Sequence, residues 1–369
     1  MKNNRWKMIV LFLAALVLAA CGKTESTPQQ TQLTASADAS ADVVEVQQDD
    51  ETHDGQAQSP LTGEWIDADI AANRPLAIMI DNTKSGLPQY GIGQADVIYE
   101  VPVEGSYTRL MAIFQDYENI ERISSVRSCR HYFVYFALGY DAIYTHYGQA
   151  KYALDLLAKS YVDNVNAMDG TVNSLAFERD SSRKAPYNAY TSGSGLTKAI
   201  ESLGYRTTHE DGYEAPFSFA EEEENVTLSD GIDAGYVKPG YFVNKSWFEY
   251  DEESGLYLRY EFGSPQVDAA TGEQLTAKNI IIQYCQWNDL GDSHGYINID
   301  TMSGGDGYYI TEGKAVKITW KKDSETSATK YFNENGEEIT FNRGKTWISV
   351  VRTTYKDRTV IAASGDDQE

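Results

Sequence analysis

Cysteine, histidine and positive charge are all scarce in this chain of 369 residues, which carries three cysteines, five histidines, and 31 Lys and Arg against 55 Asp and Glu. The formal charge of −24 makes nucleic acid a poor partner, because phosphate backbones are bound by clustered cations. His53, His131, His146, His209 and His294 are scattered, and no Cys or His cluster has zinc-site spacing, so no metal is expected. No cofactor is expected either. Gly91-Ile92-Gly93 does not complete a dinucleotide fingerprint, and Ser192-Gly193-Ser194-Gly195 lacks the lysine of a phosphate-binding loop. No Ser or Cys stands in a nucleophile elbow. The longest apolar run near the N-terminus, Met8 to Ala20, has 13 residues, short of the roughly 20 a membrane span needs.

What that run does fit is a signal peptide over residues 1–20. Lys2, Arg5 and Lys7 precede it, and Leu18-Ala19-Ala20-Cys21 closes it as a lipobox, so cleavage before Cys21 and diacylglyceryl attachment to it are expected. The partner this implies is a membrane, held from its extracytoplasmic face. Residues 21–60 have eight acidic side chains against Lys23 and almost no bulky apolar ones; the stretch reads as a disordered acidic tether. With Cys21 lipidated, Cys129 and Cys285 remain. They could form one bridge, but one belongs to a helix start and the other to an apolar strand, a placement that favours two buried thiols.

The folded part reads as α+β, with an N-terminal mixed α/β domain over 61–205 and a β-rich, sandwich- or barrel-like domain over 215–362. In the first, Leu76 to Ile80 is a buried strand, and Val97 to Glu104 with Tyr107 to Phe114 forms a hairpin about a two-residue Gly105-Ser106 turn. Ser128 is the expected N-cap of a helix to Leu138; further helices are expected at about 150–160 and 196–203, the last closed by Gly204. Beyond Gly204, short alternating runs such as Leu256 to Phe262 and Thr346 to Val351 read as strands, and the Glu221 to Glu224 run marks the join.

Site chemistry is sought beyond strand ends, where ligands of α/β domains sit. Asp81, Asn82, Arg127 and His146 each follow or end a strand. Arg127 and Arg130 flank a helix N-terminus, where cations are mildly unfavourable unless an anion joins them. Glu100 and Glu104 share a strand face, and a two-residue turn places Arg109 opposite Pro102 on that same face. These groups could bind a zwitterionic or hydroxyl-rich ligand, or support acid–base hydrolysis. Plainer roles stand beside these: a cross-strand ion-pair ladder for Arg109, pairing of Arg127 and Arg130 with Asp81 or another acid, and a core position for His146.

The segments RPLAIMIDN (74–82), ADVIYEVPVEGSYTRLMAIF (95–114), SSVRSCRHYFVYFALGYDAIYTHYG (124–148), GKAVKITWKK (313–322) and NRGKTWISVV (342–351) together resemble the YerB-like bacterial lipoprotein family. The resemblance implies two family domains, N- and C-terminal (domain of unknown function 3048), and a Gram-positive-type envelope. It implies no reaction, so no catalytic residue is carried over. Two functional classes follow: a surface-tethered binding or scaffold protein working with an envelope protein or glycan, or an extracytoplasmic hydrolase or transferase acting on an envelope glycan or peptide. They part on His146, which an enzyme should place in a cleft beside a carboxylate.

Overall fold

Strands buried along both faces need cover on both sides. Leu76–Ile80, Val97–Pro102 and Thr108–Phe114 are buried along their whole length and form the middle of an eleven-stranded sheet. The computed structural model describes residues 53–366. The signal peptide, Cys21 and most of the expected tether lie outside them.

From one edge the sheet runs Ile232–Asp233, Lys314–Lys322, Gly305–Thr311, Asn279–Cys285, Thr346–Arg352, Val97–Pro102, Thr108–Phe114, Leu76–Ile80, Ile143–His146 and Asn164–Asn166, with Thr329–Phe332 also paired to Lys314–Lys322. Segments 61–205 and 215–362 therefore meet inside one sheet. The seam is the parallel pairing of Val97 to Glu100 with Thr346 to Ser349. A second, six-stranded sheet contains Tyr236–Lys238, Trp247–Asp251, Leu256–Glu261 and Val360–Ala362. Its inward residues Val237, Phe248 and Tyr257 pack with Ile98, Ile280 and Trp347 of the large sheet. On the other face the helix His131–Leu138 lays Tyr132, Phe133 and Phe136 against Tyr99, Ile348 and Trp320. The result is the α+β architecture expected, with a β-rich C-terminal region.

Several local expectations shift. The acidic stretch folds before residue 60: Gln56–Gln58 pairs antiparallel with Trp65–Asp67. Ser128 does not cap the helix, because its hydroxyl donates to the Tyr147 carbonyl, and the helix begins at His131 with Arg130 in the cap position and no side-chain cap. The 150–160 region is a 3₁₀ turn, Lys151–Ala153, followed by one helical turn, Leu154–Leu157. The last expected helix starts earlier, at Gly193, where Ser192 caps the Gly195 N–H, and ends on Gly204 at φ 70° as the glycine stop predicts.

The largest local change is the hairpin. Val103 N–H donates to the Tyr107 carbonyl, so three residues, Glu104 to Ser106, make the turn rather than two. The pairing slips by one, to Val101↔Arg109 and Glu100↔Leu110. Because side chains alternate, a slip of one moves Arg109 to the face opposite Glu100.

A sheet shared across the chain makes one prediction. Glu221 to Glu224 are exposed, and a glutamate-specific protease should nick there. The two fragments should separate on a denaturing gel yet elute together by native size exclusion, held by the seam and the common cores. Separate native elution would mean the segments fold as independent domains.

Candidate functional site

The eight candidate side chains divide into two polar centres, one on each face of the large sheet. Asn82 and Glu100 point toward the small sheet. There Asn82 Nδ2 donates to Thr108 Oγ1 at 2.9 Å and to Glu261 Oε1 at 2.8 Å, and Asn244 Nδ2 donates to the same Glu261 oxygen at 2.5 Å. Glu100 accepts from Thr108 Oγ1 at 2.8 Å and from Arg259 Nη2 at 2.6 Å. Arg259 is fully buried, its guanidinium 4.6 Å from the Phe248 ring centroid and 4.5 Å from that of Trp347. The centre thus holds two buried carboxylates and one guanidinium. Burial pushes Glu261 up to about 8, against the opposing pull of Arg259 and with the help of Glu100; it also raises Glu100, again against Arg259. Glu261 Oε2 and Arg259 Nη1 are buried without a partner among the described residues. Glu100 therefore takes the ion pair with Arg259, and the raised Glu261 carboxyl favours its neutral form beside them.

The sequence reading missed Arg259, Glu261 and Asn244. A signal was present: in LYLRYE (256–261) the charged residues fall on the same alternate positions as Tyr257, which is the buried face. Charge on the inward period of a strand marks a buried polar partner elsewhere.

On the opposite face lie Asp81, Glu104, Arg109, Arg127, Arg130 and His146. Here the acids answer the arginines. Arg127 pairs with Asp81, and Arg130 pairs with both oxygens of Glu104 while its Nη1 donates to the Cys129 carbonyl at 3.0 Å. Burial opposes the charge on Glu104, but Arg130 more than offsets it and holds that carboxyl below its ordinary range. The suspected anion at the helix N-terminus is thereby supplied in part by the chain itself. Arg109 differs: its Nη1 donates to the Ser128 carbonyl at 2.8 Å, and no carboxylate among the described residues lies within ion-pair distance. Burial, followed by repulsion from Arg130, lowers it to about 10.

His146 is fully buried. Nδ1 faces the Gly148 carbonyl at 2.9 Å and Nε2 faces Asn164 Oδ1 at 3.2 Å, while the Asn164 amide is committed to the Leu157 and Val162 carbonyls. Burial lowers its proton affinity. Both nitrogens face oxygens inside a buried site and no carboxylate lies beside the ring, so the one lone pair of the neutral imidazole is enclosed by the chain and closed to a substrate. Cys129 and Cys285 are free and buried, and burial pushes the Cys129 thiol up to about 12, which leaves it a weak nucleophile. No cluster of three or more His, Cys, Asp or Glu able to hold a metal occurs among the described residues.

Comparison with known proteins places this geometry. The family described as Protein of unknown function (DUF3048) matches twice, its N-terminal domain over residues 61–206 and its C-terminal domain over 237–348. The Bacillus subtilis (strain 168) protein named "Putative lipoprotein YerB" is 31% identical over 301 residues, 80% of this chain and 86% of its own length. The crystal structure of Bacillus subtilis YerB is similar at a TM-score of 0.72 and 30% identity, over 83% of this chain and 99% of that one. No helix among the described residues is long and apolar enough to cross a membrane. The order of motifs, the paired domain matches and the shared fold together make this chain a member of the YerB-like DUF3048 family.

Proposed function

We propose that the protein is a lipid-anchored, extracytoplasmic binding or scaffold protein of the cell envelope. The observation that carries this reading is the sealed His146: an acid–base hydrolase or transferase built on this cluster needs that ring open beside a carboxylate, and it faces two neutral oxygens in a buried site. Surface composition supports the same side. Tyr152, Leu154, Tyr161, Met168 and Leu175 are all exposed within one stretch following the His146 strand, and side chains of this kind serve partner contacts.

Two measurements test it. Incubated with purified envelope glycan, the intact protein should co-sediment with the polymer and release no soluble fragments; fragment release without retention supports the hydrolase instead. Anchoring is tested at Cys21. The Cys21→Ala chain should leave the membrane fraction or stay unprocessed, whereas mass spectrometry finding an unmodified residue 21 in the membrane-extracted wild type removes the anchor from the proposal.

A further inference from the structure

Where the two family segments meet, a cavity of about 150 Å³ is walled by Ile92, Ile98, Leu275 and Trp347 and carries Asp96 and Lys345 on its lining. Glu273, Thr271 and Gln274 also line it, with Glu273 exposed and Asp96 and Lys345 half-buried, so the inner charges are one of each sign beside an apolar wall, where each carries a desolvation penalty that a packing defect would not need. Lys345 donates one proton to the Gly93 carbonyl, leaving two. Asp96 accepts the Gln115 N–H on Oδ2 at 2.7 Å, and no hydrogen bond within the described residues engages its Oδ1. Burial pushes Asp96 up to about 6, with the Gln115 N–H and Lys345 only partly opposing it, so a cation seated on its free Oδ1 would restore the charged form that burial disfavours.

We propose that this cavity binds a small zwitterion, an α-amino acid of about alanine size, with its carboxylate on Lys345, its ammonium on Asp96 and its side chain against Leu275 and Trp347. Size sets the limit: a core cavity of about this volume takes benzene, so about six heavy atoms fit, the number in alanine. Charge sets the class. A simple anion meets Asp96, a simple amine meets Lys345, and an apolar ligand leaves the two remaining Lys345 protons and Asp96 Oδ1 unanswered; a zwitterion satisfies both at once. The site is independent of the scaffold reading, since it needs only the cavity at the seam. Lys345 and Trp347 belong to the NRGKTW stretch of the family motif, which neither polar centre explains as a whole.

Isothermal titration calorimetry of the intact, detergent-extracted chain with L-alanine, D-alanine, propionate and ethylamine at neutral pH tests this. At least one alanine enantiomer should bind saturably, and propionate and ethylamine should bind about tenfold more weakly or worse, each lacking one charge-assisted contact. Lys345→Met should weaken alanine by about tenfold or more. Ala277→Val, which narrows the cavity without touching a charge, should also block it and serves if the lysine variant fails to fold. Absence of saturable alanine binding by the wild type, equal affinity for propionate, or unchanged affinity in a folded variant overturns the proposal.

Discussion

Replacing Arg259 with Met is expected to cost roughly 3–5 kcal/mol of unfolding free energy, the penalty typical of removing one member of a buried ion pair. The side chain is fully buried, donates to Glu100 at 2.6 Å and lies between the Phe248 and Trp347 rings. Without it, Glu100 and Glu261 lie in one buried centre with no cation among their partners, so both must be protonated or the small sheet must part from the large one. Chemical denaturation of the intact chain measures the loss. The triple variant E100Q/R259M/E261Q should recover most of it, because amides keep the hydrogen bonds to Thr108, Asn82 and Asn244 without the charges. A loss below about 1 kcal/mol for the single variant would mean that the pair contributes packing and little electrostatics.

Stability should also fall as pH rises through the neutral range, and Glu261 is the source. Its carboxyl titrates near 4.5 in an unfolded chain and at about 8 when folded. Between those values the folded state keeps a proton that the unfolded state has released, so folding is favoured at the acidic end, and the contribution is lost as pH passes 8. The slope is at most about 1.4 kcal/mol per pH unit over this window. Other groups add to the profile: Asp96, raised to about 6, acts in the same sense at lower pH, while His146 and Glu104, both lowered, favour folding as pH rises through their own ranges. Glu261→Gln isolates the effect, since the amide resembles the protonated acid at every pH. The difference in unfolding free energy between wild type and E261Q should shift in favour of E261Q from pH 5 to pH 8 by a few kcal/mol. A difference that stays flat would place the proton elsewhere in the centre.

Legibility from sequence followed the range of the forces involved. The strand Leu76–Ile80, the glycine stop at Gly204 and the strand pattern of the C-terminal half depend on neighbours in the chain, and each was readable from residue type and period. The hairpin was found but its register was not. One extra turn residue, Glu104, decides whether Arg109 joins Glu100 or faces away from it, and turn length is weakly encoded when Gly105 and Ser106 both accept left-handed backbone, at φ 71° and 63°. Ser128 was a sound cap by type, yet a tertiary partner, the Tyr147 carbonyl, competes for its hydroxyl. Asp81 with Arg127 was named as an alternative to an anion site, and the structure makes that pair. The Glu100–Arg259–Glu261 centre was beyond local reading altogether, because its members lie far apart in sequence and are joined only when the small sheet closes on the large one.

That closing has a cost in time. Val97–Pro102 sits in the middle of the sheet, but its neighbour on one side, Thr346–Arg352, is among the last strands of the chain to be made. Until it arrives, a fully apolar-flanked strand stands as an open edge with its backbone donors and acceptors unpaired, the form of strand that captures other chains. Pairings of such long sequence separation also form slowly. A chain shortened before Thr346 keeps every residue of the 61–206 family segment and still lacks the strand that covers this edge. Such fragments should aggregate through Val97–Pro102, and co-expression with a fragment carrying Thr346–Arg352 should restore their solubility.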